Sequence, residues 1–343
     1  MILMGVDLRD LTQRQPITLS QLSERVIAID AYNALYQFLS IIRGPDGRPL
    51  MDSSGRVTSH LSGLFYRTAN LLEKGVLPVY VFDGPAISQK RKTLEQRAEV
   101  RMAASRLYRE ALQEGRAEEA RKYAERAVVL SSQMVEESKL LLEAMGVPWV
   151  QAAAEGEAQA AHMVALGVAW AVASQDYDSL LFGADRLVRN LTVSGRRKVA
   201  NENRYVPVEI ELVDLAQTLS ALGITRRQLV DLALMIGTDY NEGYRGVGPR
   251  KALALIKQYG TLEEVAKAKG LDPSPTELRS LFLDPPVNPV GKLKWDEPSV
   301  EKIISFLCDE RDFSKERVVE ALARTRGKSK KPSGQTSLTS YFG

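Results

Sequence analysis

The sequence has a single cysteine, Cys308, and only two histidines, His60 and His162, in 343 residues. One thiol excludes an internal disulfide framework and suits a reducing cytosol. Its setting in the apolar run IISFLC reads as a packed side chain rather than a reactive one. Two imidazoles are too few for hydrolases that build a zinc site from several of them. No uninterrupted apolar stretch approaches the ~18 residues that cross a bilayer. No basic segment followed by a long apolar run marks a signal peptide. These absences lead to the expectation of a cytoplasmic protein with no membrane association. The formal net charge is only +3, so the placement of charge matters more than its sum. What is present is 44% hydrophobic content, enough for a substantial core in one large domain or one domain with lobes.

Four short apolar runs, Val26–Ile29, Leu77–Phe82, Val147–Val150 and Trp170–Ser174, are each followed by helical patterning. That alternation predicts an α/β fold with a mostly parallel central sheet flanked by helices. Residues Arg196–Val208 read as a polar strand pair carried on the same sheet. From Val213 onward the pattern is mostly helical, and Pro273–Asp296 reads as loop with one short helix. From Arg324 the composition shifts to Arg, Lys, Ser, Gly and Pro, the signature of a flexible tail.

Acidic residues recur where the strands end. Asp30 closes VIAID, Asp83 closes PVYVFD, and Asp176 and Asp178 follow AWAVAS. Glu155 and Glu157 lie just beyond VPWV, where AEGEAQAA opens a helix. The carboxyl ends of parallel strands form the ligand crevice of an open sheet. The i, i+2 spacing within each pair aims both members at one side if the backbone there is extended. Asp239, in MIGTDY, joins from the helical part. Carboxylates so crowded need cations, and hard oxygen donors select Mg²⁺ or Mn²⁺ over zinc. Two such ions can activate water and stabilise the leaving oxygen of a phosphodiester. An isolated strand-end aspartate is more often a helix cap or turn former; the number of them here shifts the balance to metal.

Three further segments bear on substrate. After Asp83 comes a highly charged helical stretch with few large apolar residues, in which Lys90, Arg97 and Arg101 share one face. Much of it is a solvated helix, but a cationic cover beside a metal site also binds phosphate. NEGYRGVGPRKALALI places Gly246, Gly248 and Pro249 in a tight turn before a helix beginning Arg250 and Lys251. Such a turn offers backbone N–H groups to a DNA phosphate. In the terminal QTSLTSYFG, Leu338, Tyr341 and Phe342 share one helical turn and read as an anchor for a partner groove.

The motifs MGVDLRDL, VIAIDAYNALYQFL, TSHLSGLFYRT, PVYVFDG, EGEAQAA, SQDYDSLLFG, GTDYNEGYRGVGPRKAL and QTSLTSYF together resemble the flap endonucleases of the structure-specific 5′ nuclease superfamily, archaeal type. The resemblance covers nearly the whole chain. It implies a nuclease domain over 1–326, with a helical arch at about 84–130 and a helix–two-turn–helix at about 229–260, and a clamp-binding tail over 327–343. All seven acidic residues then hold two Mg²⁺ (or Mn²⁺) ions. Lys90 and Arg97 become catalytic phosphate contacts, and Tyr36 stacks on the base beside the scissile bond. Arg43, Arg67, Gly246, Gly248, Arg250 and Lys251 bind DNA. Main-chain oxygens of Gly243, Tyr244 and Val247 hold K⁺. Gln335, Leu338, Tyr341 and Phe342 form the box that binds the replication sliding clamp. The implied protein is a monomer that cuts 5′-flap junctions in branched DNA. Rival readings are a relative preferring bubbles, gaps or nicked ends, and a non-catalytic DNA-binding clamp adaptor on the same fold. The complete acidic set argues against the adaptor. One departure from the family is that Met4-Gly5-Val6, matching its usual start, follows Met1-Ile2-Leu3. Either the start is Met4, or the extension alters the contact of the glycine amine with the site.

Overall fold

The computed structural model describes residues 5–44, 48–86, 88–193, 196–198 and 205–325. Its strands are β1 (Arg14–Ile17), β2 (Val26–Asp30), β3 (Leu77–Phe82), β4 (Trp149–Gln151), β5 (Ala171–Ala173), β6 (Arg186–Arg189), β7 (Arg196–Lys198), β8 (Tyr205–Pro207) and β9 (Ile210–Asp214). Seven strands form one sheet in the order β1-β9-β6-β5-β2-β3-β4. The neighbours from β6 through β4 are parallel, and β9 runs antiparallel to both β6 and β1. The order reverses at β2, which has β3 on one side and β5 on the other. A crevice opens at such a reversal, beyond the carboxyl ends of the strands.

Side chains alternate across each strand, so two cores form. Ile27, Ile29, Tyr80 and Phe82 enter one; Ala28, Val79 and Val81 enter the other. Helices α1 (Ala31–Ile41) and α2 (Ser59–Glu73) cover the first face. The chain then leaves the sheet as a hairpin of α3 (Arg91–Gln113) and α4 (Ala117–Arg126) before α5 (Ser132–Ala144) returns to that face. On the opposite face lie α6 (Gly156–Ala165), α7 (Asp178–Leu181) and α8 (Leu215–Leu222), followed by α9 (Arg226–Ile236), α10 (Pro249–Tyr259), α11 (Leu262–Lys269) and α12 (Arg279–Leu283). Finally α13 (Val300–Ile304) and α14 (Lys315–Thr325) pack on the first face, with Cys308 partly buried in the turn between them. Among the described residues, no helix is long and apolar enough to cross a membrane.

The expected parallel strands are present, with ends shifted by one or two residues. The segment expected to join them as a polar pair does not. β7 and β8 form a separate two-stranded ribbon, and the strand that enters the sheet is β9, with Val213 fully buried. RRKVANENRY is too polar to be covered by a helical layer. β1 and β6, four residues each, are too short for alternation to reveal them.

The hairpin is held lightly. Among the described residues, its buried apolar side chains are Ala104 and Ala111 on α3 and Ala120 and Ala124 on α4, while Leu94, Val100 and Met102 are exposed. Alanines bury little area, so the hairpin gains much less than a Leu-lined interface. By contrast, α9, α11 and α12 are locked by a buried ionic cluster. Arg279 donates through Nε to Asp231 (2.6 Å) and through both Nη atoms to Glu263 (2.8 Å each). Asp231 is fully buried and also accepts from Leu262 N. Arg279→Met removes the cation and leaves that buried carboxylate without a counter-charge, an expected loss of about 3–5 kcal/mol. The denaturation midpoint measures it; an unchanged midpoint contradicts the assignment.

Candidate active site

Each acidic residue is delivered by a strand end, a helix start or a turn. Asp30 ends β2 and caps α1, accepting from Asn33 N at 3.0 Å. Asp83 follows β3 and accepts from Gly156 N at 2.7 Å. A Cβ at residue 156 would lie 2.7 Å from the same oxygen, so glycine is what lets the two elements meet. Glu155 is the N-cap of α6, and Glu157 lies in its first turn. Asp176 follows β5, and Asp178 opens α7, accepting from Val6 N at 2.8 Å. Asp239 sits after α9 in a turn closed by Thr238 N donating to Asn241 O at 2.9 Å. All seven line one cavity, together with Lys90, Arg97, Tyr36 and Arg101. The condition of extended backbone, under which the i, i+2 spacing aims both acids at one side, holds for neither pair as a whole, and the opening of a helix at Glu155/Glu157 is as expected. Glu155/Glu157 straddle a helix start and Asp178 begins a helix. Helix N-termini carry partial positive charge, which offsets some of the crowding.

The electrostatics follow from burial and like charge. Asp30 and Asp178 are 7% and 6% exposed. Burial pushes Asp30 up to about 6, with Glu155 adding to it and the Asn33 amide and Lys90 opposing. Burial also raises Asp178 to about 7, reinforced by Asp239. Asp83 rises to about 8 through burial and then through Asp30 and Glu155. Glu157 and Asp176 are driven well above the carboxylate range by burial and by Asp178. Into this cluster Lys90 extends its ammonium, 2.6 Å from Glu155 and 3.2 Å from Asp239. Burial disfavours its charge, but Glu155 and Asp239 outweigh that and hold its pKa above the ordinary lysine value. Arg97 bonds Asp239 at 2.5 Å.

Oxygen donors fit a hard divalent cation, and Glu157 Oε1 is buried without a hydrogen-bond partner, as a vacant donor would be. Among the described residues, no three acidic, histidine or cysteine side chains already converge as a closed metal cage.

Several neighbours escaped sequence reasoning. Asn33 donates to Asp176 (2.9 Å) and accepts from Gln175 N, linking the two strand ends. Its spacing of three from the capping Asp30 was the available signal. Buried Arg189 donates to Gln175 O and to the Tyr177 hydroxyl (2.6 Å), bracing the loop between Asp176 and Asp178. Thr93 donates to Asp239 O at 2.6 Å. At Gly5, with φ +83°, a Cβ would lie 2.7 Å from Asp178 Oδ1.

The expected DNA-contacting residues are spread more widely. Tyr36 lies in the cavity with the Arg101 guanidinium 5.0 Å from its ring. Arg43 is not directed into the cavity: it donates to Ser40 O and Ala124 O, tying α1 to the end of α4. Arg67 is half-buried on α2, away from the cavity. Gly248 caps α10, with Arg250 and Lys251 exposed in its first turn and Gly246 at φ +75° just before. Of the expected K⁺ ligands, the Tyr244 carbonyl already accepts from Val247 N at 3.0 Å. A Cβ at Gly243 would meet Ile236 O at 2.3 Å. Gln335, Leu338, Tyr341 and Phe342 lie outside the described residues.

The raised carboxylates give stability a sign with pH. In the fold they keep protons that the unfolded chain has released, so their contribution is complete below the usual carboxylate range. It is lost as pH rises through about 6 to about 8. In chelator, the calorimetric midpoint falls between about pH 5 and pH 8, and a divalent ion restores it more at the higher pH. A metal-independent, pH-flat midpoint contradicts the cluster.

Residues 5–104 match the XPG N-terminal domain family, and residues 146–239 match the XPG I-region family. Flap endonuclease 1 of Caldivirga maquilingensis is 53% identical over 336 residues, 96% of each chain. Flap endonuclease 1 of Pyrococcus furiosus is 51% identical over 99% of each. The solved structure of flap endonuclease-1 from Methanococcus jannaschii superposes with a TM-score of 0.75 at 40% identity, covering 94% of this chain and 98% of that one. The catalytic core of Rad2 in complex with DNA substrate shares the fold at 24% identity, with a TM-score of 0.69 over 94% of this chain and all of that one. With about half of its residues shared with these curated relatives along nearly their full length, the chain belongs to the flap endonuclease family.

Proposed function

We propose that the protein is a structure-specific 5′-flap endonuclease, with accompanying 5′-3′ exonuclease activity, that hydrolyses branched DNA in Okazaki-fragment maturation and repair. The single observation that carries this reading is the convergence of seven carboxylates and two cations, Lys90 and Arg97, in one cavity at the reversal point of the sheet. Asp30, Asp83, Glu155, Glu157, Asp176, Asp178 and Asp239 would hold two Mg²⁺ or Mn²⁺ ions. When bound, such ions supply an activated water and neutralise the leaving oxygen.

The remaining chemistry belongs to the chain. Lys90 and Arg97 already approach the cavity with their charges inward, where they balance a non-bridging phosphate oxygen. Tyr36 presents a ring at the same mouth, suited to stacking on the base next to the scissile bond. The cationic start of α10, behind the Gly246 and Gly248 turn, suits sequence-independent docking of duplex phosphates. A K⁺ ion held by the carbonyls of Gly243, Tyr244 and Val247 would reinforce that docking. Arg43 and Arg67 are the least direct members of the set, since Arg43 serves the scaffold. Residues 1–326 are the nuclease domain in this reading, and the terminal box recruits the sliding clamp to a monomeric enzyme.

Asp178→Ala is expected to reduce cleavage of a 5′-flap duplex by at least about 10³-fold while junction binding, measured by anisotropy, changes little. Wild-type cleavage in that variant removes the metal assignment. Deleting residues 335–343 is expected to abolish stimulation by the clamp and to preserve clamp-free turnover. Steady-state assays with and without clamp separate the two, and retained stimulation refutes the box.

A further inference from the structure

Thr93 has no part in the family pattern described above, yet it touches the site more directly than most of α3. It lies in the first turn of that helix, four residues before Arg97 on the same face and three beyond Lys90 in the 3-10 turn that precedes it, and all three reach Asp239. A threonine inside a helix ordinarily turns its hydroxyl back to a carbonyl of its own preceding turn. Here the hydroxyl crosses to another element and donates to the main-chain oxygen of Asp239 at 2.6 Å.

We propose that Thr93 is a positioning residue whose hydroxyl moors the arch to the Asp239 turn and so sets the register of Lys90 and Arg97 against the carboxylates. The proposal rests on the reading of Lys90 and Arg97 as phosphate contacts. Three observations support it. First, the receiving turn is stiff: Thr238 and Asn241 bond each other across it, Asn241 Nδ2 donates to Leu234 O, and Gly243 packs against Ile236 O. Second, the large apolar residues of the first half of α3, Leu94, Val100 and Met102, are exposed, so apolar packing does little to fix that half sideways.

Third, the contacts that Arg97 on α3 and Lys90 just before it make with this turn use the Asp239 side chain. Arg97 takes Oδ1 and Lys90 takes Oδ2. Those pairs must loosen whenever the carboxylate serves a metal ion or the cations turn to a phosphate. The bond from Thr93 goes to the carbonyl and competes with neither event. It therefore holds the arch in place while its cations change partners. The same turn leads within a few residues into Gly246 and α10, so the mooring also joins the arch to the candidate duplex grip.

The experiment compares Thr93→Val, which keeps the shape and loses the donor, with Thr93→Ser, which keeps the donor. Single-turnover cleavage of a 5′-flap duplex in Mg²⁺, junction affinity and amide exchange of residues 91–97 are measured on the full-length chain. Thr93→Val is expected to slow cleavage by about tenfold, the loss of one hydrogen bond, with affinity changed less than about twofold. Its first α3 amides exchange faster, and Thr93→Ser recovers both properties. A wild-type rate or unchanged exchange in Thr93→Val overturns the proposal. So does a Thr93→Ser variant as slow as Thr93→Val, which would assign the effect to shape. Lys90→Ala and Arg97→Ala run alongside. If they cleave at wild-type rates, the arch-cation reading fails; if they are slow while Thr93→Val is not, only the mooring fails.

Discussion

Mutual repulsion among buried carboxylates is the constraint on which this fold turns. Four parallel strands stop at one edge of the sheet, and the chain places an acidic residue at or just beyond each of them. Such an arrangement opposes folding unless something balances it. Three partial answers are built into the scaffold. Helices begin where Asp30, Glu155 and Asp178 sit, so their exposed N–H groups face the charge. Backbone amides from Asn33, Gly156 and Val6 bond the carboxylates directly. Lys90 and Arg97 then supply full charges from a helix that is not part of the sheet.

The division of stiffness across the molecule follows the same logic. The sheet and the α9–α12 unit are fixed by large buried side chains and by the Arg279 cluster. The α3–α4 hairpin is joined through alanines and polar contacts near its ends, Thr93 on α3 and the Ala124 carbonyl that accepts from Arg43 on α4. Elements that border a binding site are commonly of low local stability and mounted on rigid ones. Arg43 shows how a basic residue near a nucleic-acid surface can instead serve the scaffold, by capping carbonyls of α1 and α4.

Much of the candidate site is legible in the chain because strand ends are local events. Apolar runs closing on Asp30 and Asp83 announce both the strand and its cargo, and a glycine-bearing turn beside Asp239 announces the helix hairpin. What stays hidden depends on partners far away in sequence. Asn33 reaches Asp176 across 143 residues and Thr93 reaches Asp239 across 146. No periodicity encodes such pairs. The acidic doublets reveal their membership but not their backbone, since ExE and DxD read alike on a strand and at a helix start. β1 and β9 pair across the chain with polar edge residues, so only the folded sheet identifies them.

Lys90 also bears on how the cavity meets a cation from solvent. Its ammonium lies between Glu155 and Asp239, within contact of both, so the pocket is already part-neutralised from within. A divalent ion held by Glu155 and Asp239 would therefore meet carboxylates that already share a tethered monovalent charge, not an open negative hole. Were the ammonium displaced, it would stay attached a few ångströms away, because its backbone leads directly into α3. The arrangement is that of an ion exchanger on a solid support, with the displaced charge kept beside the place where a phosphate would arrive.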